Sequence, residues 1–547
     1  MRKSGSTDCQ CIRKEQTQRK IGGRESVRCC LTLLLIQIAR QCGVPEGRDF
    51  ERGVGAEDKA SARVDDIRRM DDYFNCVFNQ SIEQFSQEDL ARRLHVSTRQ
   101  VQRIIQEQYH MTFLQKLNQT RLHYDGAPCR IMIYDGSEHN YDMMTEGKET
   151  GDILNDAIYQ RNAVASERLG ITFEIIGAND TEKINSSIMS ESDDFDLLFW
   201  PICYSISVAN RNGFLSTSDM PYVNLDKPWW DAGLRRDLSI NNSLVFLTGD
   251  ISPAGLNMSS CLLFNKDLFD QHNLAYPYDS VTSGSWTMDA FSKILKDRTS
   301  DLNGDGKIRP NADLYGLSCW MYDVPYSLFY GAGGKMVEKD SDDIPHIRED
   351  LDQTVSIMEK VYDIIIDKQS FFAVNTGEAY EQSYTVFSEN RAFFIDTKLF
   401  GMSKLRDMSA DFGVLPLPKY DENQENYTTF VNSASNMISV PVTATDPEKT
   451  SAILEAMAFQ SYKTLTPKFK ESVLKGKMAR DQESWDMMDI IIRNRVFDIA
   501  YIYNIEGYMD FQRTLLMEKS KNVVSHLESY KQKAENSLAS IVEIYTK

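Results

Sequence analysis

Residues 121–136 read RLHYDGAPCRIMIYDG, and the fold turns on how this stretch is divided. Before it, Arg99 to Asn118 is polar and charged with helical periodicity. After it, Arg130 to Tyr134 is an apolar run of the length that suits a buried strand. Working outward to the right, CRIMIYD, ITFEIIG, DLLFW and SLVFLTG read as strands and alternate with helical stretches such as 149–168. That alternation predicts βαβ units and a largely parallel sheet from 129 onward, with a mostly helical part over 446–547. Working outward to the left, residues 68–123 read as helical throughout, 43–66 as a linker and 26–42 as one helix. Residues 1–24 are polar, basic and without pattern.

Charge divides at the same place. Residues 1–127 hold 21 Lys and Arg against 17 Asp and Glu, a net of +4, and residues 128–547 hold 40 against 63, a net of −23. A mildly basic head is compatible with a polyanion, whereas a strongly acidic body repels one and suits neutral or cationic solutes. Six of the ten cysteines fall at Cys9, Cys11, Cys29, Cys30, Cys42 and Cys76. Cys9 and Cys11 form a C-x-C with no second pair at zinc spacing, and the four in the body suggest no disulfide framework. The apolar run at CCLTLLLIQIARQC follows a long basic stretch and is closed by Arg40 and Gln41 before Cys42. It reads as an amphipathic helix rather than a leader or lipidation signal, which places the chain as written in the cytoplasm. No stretch of 18 apolar residues is present.

Residues 86–107, SQEDLARRLHVSTRQVQRIIQE, carry a helix-turn-helix pattern. Ser86 caps a first helix with Leu90, Ala91 and Leu94 inward, and Ser97 caps a second with Val101, Ile104 and Ile105 inward. His95 falls at the turn position that calls for left-handed backbone, which His tolerates better than most side chains. Thr98, Arg99, Gln102 and Arg103 are left outward, with Arg suited to guanine and Gln to adenine edges. The wider stretch DLARRLHVSTRQVQRIIQEQYHMTFLQKLNQTRL resembles the DNA-binding domain of AraC-type regulators, with His110 where that family commonly has Gly. The resemblance implies DNA contact through those four residues. It stops at Leu122 and His123, where YDGAP stands in place of the family's second helix-turn-helix.

The body has no G-x-S-x-G, H-E-x-x-H or P-loop, and its four His stand apart from any Cys or Ser partner, so it is not expected to be an enzyme. Aromatics do cluster, in LLFWPICY, KPWWDAG and SCWMYDVPYSLFYGAGG. Flat faces beside carboxylates are what a sugar or small polar ligand needs. The segments TGDILNDAIYQRNAVASERLGITFEI, LLFNKDLFDQHNL, RAFFIDTKLF and DFGVLPLPKYDENQENYTTFV together resemble family 1 extracellular solute-binding proteins of ABC transporters, over nearly all of 129–547. The resemblance implies an α/β, two-lobed periplasmic-binding-protein-like fold of type II behind an N-terminal all-α segment. It also implies a carbohydrate or similar solute as ligand, an ABC permease as partner where the chain is exported, and a family setting that is normally extracellular and membrane-anchored. Lobe crossings are expected near 249–260 and 412–418. From loop position, the ligand-binding set is expected to include Trp200, Tyr204, Trp229, Trp230, Asp250, Trp320, Tyr326 and Asn432. In DLNGDGKI, Asp301, Asn303, Asp305 and the Lys307 carbonyl match calcium-loop spacing around Gly306, but Ala312 stands where the bidentate Glu belongs. Either a structural calcium or a solvated Asx-rich turn satisfies that loop, and no cofactor is required. Two functional readings follow: a ligand-responsive regulator, or a transport-type binding protein with a residual DNA-binding segment.

Overall fold

The computed structural model describes residues 86–109, 122–135, 147–374, 377–475 and 481–546, together with Met70, 111–113, Lys116 and Asp142–Met143. The expected helix at 26–42, the linker at 43–66 and the amino-terminal cysteines lie outside the described residues. The chain divides into two compact units, Met1–Thr120 and Arg121–Lys547.

In the first unit, α1 (Gln87–Leu94) and α2 (Thr98–Tyr109) pack Leu90, Ala91, Leu94, Val101 and Ile105 with Met70 into a small core. The Ser86 hydroxyl accepts the Asp89 N–H at 3.0 Å, so the first helix starts on a side-chain cap. Asp89 does not return the favour to the cap; its carboxylate takes Arg92 and Arg93 instead. Ser97 and Gln100 cap the second helix reciprocally, N–H to Oε1 at 2.9 Å and N–H to Oγ at 3.3 Å. His95 closes α1 in the left-handed region, φ 55° and ψ 38°.

The second unit holds two sheets. β1 (Ala127–Tyr134) is followed by α3 (Ile153–Leu169), β2 (Ile171–Ala178) and β3 (Leu197–Pro201), with β1 parallel to both other strands. Asp152 caps α3 by accepting the Leu154 and Asn155 N–H groups. Cys129, Ile131, Met132 and Ile133 are all buried, as a central strand covered on both faces must be. Arg130 fixes the β1–β3 register by pairing with buried Asp196 and with Asp193. The chain then runs through α4 (Ile202–Ala209) and α5 (Pro253–Asn257) into the second sheet.

That sheet is built from β4 (Ser260–Asn265), β5 (Tyr315–Trp320), followed by α6 (Val324–Gly331), β6 (Phe371–Ala373), β7 (Ala392–Lys398) and β8 (Phe412–Leu415), in the order β8-β4-β7-β5-β6. The β7, β5 and β6 strands are parallel, and β4 is antiparallel to both its neighbours. A short β9 (Thr429–Phe430) leads back to β10 (Asn436–Ser439), which closes the first sheet antiparallel to β3. α7 (Pro447–Gln460) and α8 (Thr466–Lys475) pack on α3, then α9 (Gln482–Arg493) crosses to pack on β8. β11 (Arg495–Val496), α10 (Ile499–Ile502) and α11 (Val523–Thr546) complete the unit.

Two expectations are corrected. The second crossing does not run near 412–418: Phe412–Leu415 pairs along its whole length with β4, inside the second sheet. The passage falls at 431–435, where Val431 bridges Ser259. Nor is SLVFLTG a regular strand. Leu247 exchanges both backbone bonds with Ile438 at 2.8 Å, but the pairing ends there. Gly249, at φ 152°, brings its Cα against the Trp229 carbonyl, where a Cβ would lie 2.1 Å from the oxygen, and the chain turns into the first crossing.

Both crossings meet at Asp142, a carboxylate only 1% exposed. It accepts the Ser252 hydroxyl at 2.5 Å, the Ala254 N–H at 2.8 Å and the Asn436 amide at 3.1 Å. Burial pushes its pKa up, against the pull of those donors. Arg161, fully buried, donates to the carbonyls of Asp142 and Ile251. Asp142→Ala is expected to cost about 2–4 kcal/mol, because it orphans buried donors. Asp142→Asn keeps an acceptor in the neutral form that burial favours, and is expected to lose less than half as much. Urea unfolding of the two variants checks the order, and equal losses would refute it.

Candidate functional site

Pro201 at the end of β3 pairs with Asn436, and Lys398 at the end of β7 pairs with Ser260. Each sheet therefore delivers strand ends to the crossings, the position where open α/β sheets hold ligands. The second crossing is gripped from both sides. Ile202 and Cys203, opening α4, donate their N–H groups to the Ser435 and Ser433 carbonyls at 3.0 and 2.9 Å. From the other lobe, Asn432 donates its amide to Asp323 at 3.2 Å, and Ser433 shares a 3.2 Å hydrogen bond with the Tyr501 hydroxyl.

Asp323 is the electrostatic centre of this region. It lies between β5 and α6, is 3% exposed, and pairs with the Lys398 ammonium at 2.6 Å. Burial alone would lower the Lys398 pKa; Asp323 and the Tyr380 phenol outweigh it and hold the ammonium above the ordinary lysine range. Two residues earlier on β7, Asp396 is pushed well up by burial and accepts the Ser327 hydroxyl at 2.5 Å. Burial thus disfavours a charge on that carboxyl, and the charge on Asp323 is compensated by Lys398. Burial also pushes the Tyr501 phenol up to about 12.

Aromatic rings stand on both sides of this polar group. From the first lobe, Tyr134 lies 5.0 Å from Trp200 and 5.4 Å from Tyr204, centroid to centroid. Trp200 is fully buried and forms the backing, while Tyr204 is 47% exposed. From the second lobe, Trp320 at the end of β5 lies 4.9 Å from Tyr322 and 4.6 Å from Tyr380, all three half-buried. Rings with exposed faces beside a neutralised polar cluster can pack on C–H faces and exchange hydrogen bonds with hydroxyls.

The expected ligand-binding residues thus separate into groups. Trp200, Tyr204, Trp320 and Asn432 belong to this region. Tyr326 is 2% exposed and packed 5.8 Å from Phe430 and 5.0 Å from Tyr501, so it supports the floor rather than facing a solute. Trp229, Trp230 and Asp250 line a different cavity. Sequence reasoning missed Asp323, Lys398, Tyr380, Ser433 and Tyr501. The one signal available was the polar D-x-K that ends the apolar run AFFIDTK. In the calcium-like loop, both Asp301 oxygens accept backbone N–H groups, from Gly304 and Gly306 at 2.7 Å, and Asp305 is paired with Arg309. Among the described residues no three His, Cys, Asp or Glu side chains converge on a metal-sized site. In the first unit Thr98, Arg99, Gln102 and Arg103 are exposed on α2; Gln102 reaches Gln87 at 3.3 Å and Arg103 sits 3.7 Å from Glu107.

No family model matches the chain, and no curated protein matches it. Solved structures do. M. tuberculosis UspC superposes with a TM-score of 0.50 at 10% identity, over 75% of this chain and 100% of its own. A cyclo/maltodextrin-binding protein complexed with maltotetraose superposes with a TM-score of 0.50 at 13% identity, over 78% of this chain and 97% of its own. The body has the two-lobed, periplasmic-binding-protein-like α/β fold.

Replacing Lys398 by Met leaves Asp323 buried without its cation, at an expected cost of about 3–5 kcal/mol. Lys398→Met combined with Asp323→Leu is expected to recover most of that loss. Chemical denaturation of the two variants reads it, and a single variant as stable as the parent would remove the pair from its central place.

Proposed function

We propose that the body binds a carbohydrate or another small, polar, uncharged solute between its lobes, against the rings of Tyr204 and Trp320 and the Asp323–Lys398–Asn432 group. The observation that carries this reading is the meeting of half-exposed aromatics with a charge-compensated polar cluster at the strand ends of both sheets. The fold supports it, since two structures of the same architecture include one that is complexed with maltotetraose. Binding rather than catalysis is the role we favour, because the Asp323 carboxylate is spent on Lys398 and burial disfavours a charge on Asp396. An ABC permease is the partner such a binding protein would serve.

A panel of mono- and oligosaccharides, polyols and peptides in a thermal-shift screen is expected to yield at least one stabilising ligand. Tyr204→Ala and Trp320→Ala are each expected to weaken that ligand about tenfold or more, near 1.4 kcal/mol. A ligand whose affinity ignores both substitutions would place the solute elsewhere.

The exposed Thr98, Arg99, Gln102 and Arg103 on a capped second helix favour a second role, that the amino-terminal unit contacts duplex DNA. Affinity is expected to be low, since one recognition helix works where the AraC-type domain uses two. Binding should fall steeply with salt and be lost in the Arg99→Ala/Arg103→Ala double variant. Fluorescence anisotropy at low ionic strength that detects no salt-sensitive complex would dismiss this role.

A further inference from the structure

One cavity lies apart from the aromatic region at the strand ends. It encloses about 1030 Å3 beside the first crossing and shares no residue with that region. One wall is the Trp229–Arg235 segment with Gly249 and Asp250; the others are α8 and the end of α9 with Arg495.

Its chemistry departs from the rest of the body. Six Lys and Arg line it against four Asp, in a unit whose net charge is −23. Asp226 is paired with Arg235 at 2.6 Å, and Asp489 with Lys470 at 2.8 Å and Arg493 at 3.6 Å. The Asp250 carboxyl is pushed up by burial while it accepts the Thr466 hydroxyl at 2.5 Å. Acid groups are thus spent or tending to neutral, and the balance is cationic.

Arg495 is the residue that this wall leaves incomplete. It is 4% exposed, and its Nη2 pairs with Asp231 at 2.5 Å. Its Nε and Nη1 are buried with no acceptor. A guanidinium that lacks acceptors for two buried nitrogens costs free energy that an oxyanion restores, and the planar fork suits carboxylate or phosphate. Next to it, Trp229 and Tyr462 stand 6.0 Å apart, with Tyr462 45% exposed, and offer a face for an apolar ring.

We propose that this cavity is a second binding site, for a small oxyanion carrying an aromatic or apolar group, with Arg495 as its anchor and Lys470 at its rim. The site is independent of the solute reading, because none of its residues belongs to the aromatic region at the strand ends. Phenyl phosphate, benzoate and inorganic phosphate serve as probes for the whole chain in isothermal titration at low ionic strength. Phenyl phosphate or benzoate is expected to bind saturably, at one per chain, and more tightly than inorganic phosphate; which of the two is tighter distinguishes phosphate from carboxylate chemistry. Arg495→Gln should weaken binding about tenfold or more. Since that buried change can unfold the chain, Lys470→Gln, at a half-exposed position, is the second variant and should weaken binding about threefold or more. Absence of saturable binding up to about 10 mM would overturn the proposal, as would binding that ignores Lys470→Gln.

Discussion

The Asp142 carboxylate is the constraint on which the body is built. Three donors from two separate chain segments converge on it: Ser252 and Ala254 from the first crossing, and Asn436 where the second crossing enters β10. Its consequence is an asymmetry along the first crossing. Ser252 and Ala254 are tied to the first lobe through Asp142, whereas Asn257 and Ser259 bond the backbone of Phe400 and Leu399 beyond β7. Allegiance changes within Gly255 and Leu256. Gly255 is also where space is least: a Cβ would meet Ser252 Oγ at 2.9 Å and the Asn436 carbonyl at 3.0 Å. The passage from one lobe's bonds to the other's is therefore confined to very few residues.

The region at the strand ends follows from that arrangement. Parallel strands β1 and β3 in one lobe, and β5 and β7 in the other, point their carboxyl ends at the crossings, so side chains placed just after each strand meet across the hinge. Tyr204 comes one turn after β3, Tyr322 and Asp323 just after β5, and Lys398 at the end of β7. The buried Asp323–Lys398 pair is costly to desolvate, and a pair of this kind is weak support for stability as such. Its value here is placement. It holds a polar, net-neutral patch between rings, and an uncharged, hydroxyl-rich solute matches that patch better than an ion does.

Legibility in the sequence depended on range. Strands β1, β2 and β3 and the caps at Ser86 and Ser97 were readable because period and capping are local. Trp320 and Asn432 were picked from loop position; Trp320 stands at the end of β5 and Asn432 in the second crossing. Lys398 was not, because its meaning comes from Asp323, a partner 75 residues away that no spacing rule connects. Trp230 was misjudged for the same reason: its indole N–H is committed to Glu455 at 2.9 Å, far along the chain. The second crossing was placed too early because Phe412–Leu415 has the composition of an exit strand. Nothing local shows that the chain first lines the edge of β4 and then detours through β9. His95 makes the opposite case, since a left-handed turn residue between two amphipathic runs is a local requirement and was visible as one.

Charge sharpens the contrast between the Arg495 cavity and the region around Asp323. A strongly acidic surface disfavours the approach of anions, screened over about 10 Å at ordinary salt. An anion site on such a body requires a local excess of cations with unspent donors, and that is what the lining around Arg495 supplies. The region around Asp323 has no such excess, since its lysine is matched by Asp323. A neutral solute crosses the acidic field without an electrostatic penalty, so the same body can present both environments without one competing for the ligand of the other. The separation also explains why aromatic content alone was a poor guide: Trp229 and Trp320 look equivalent in sequence, and only the charge around each distinguishes what it can hold.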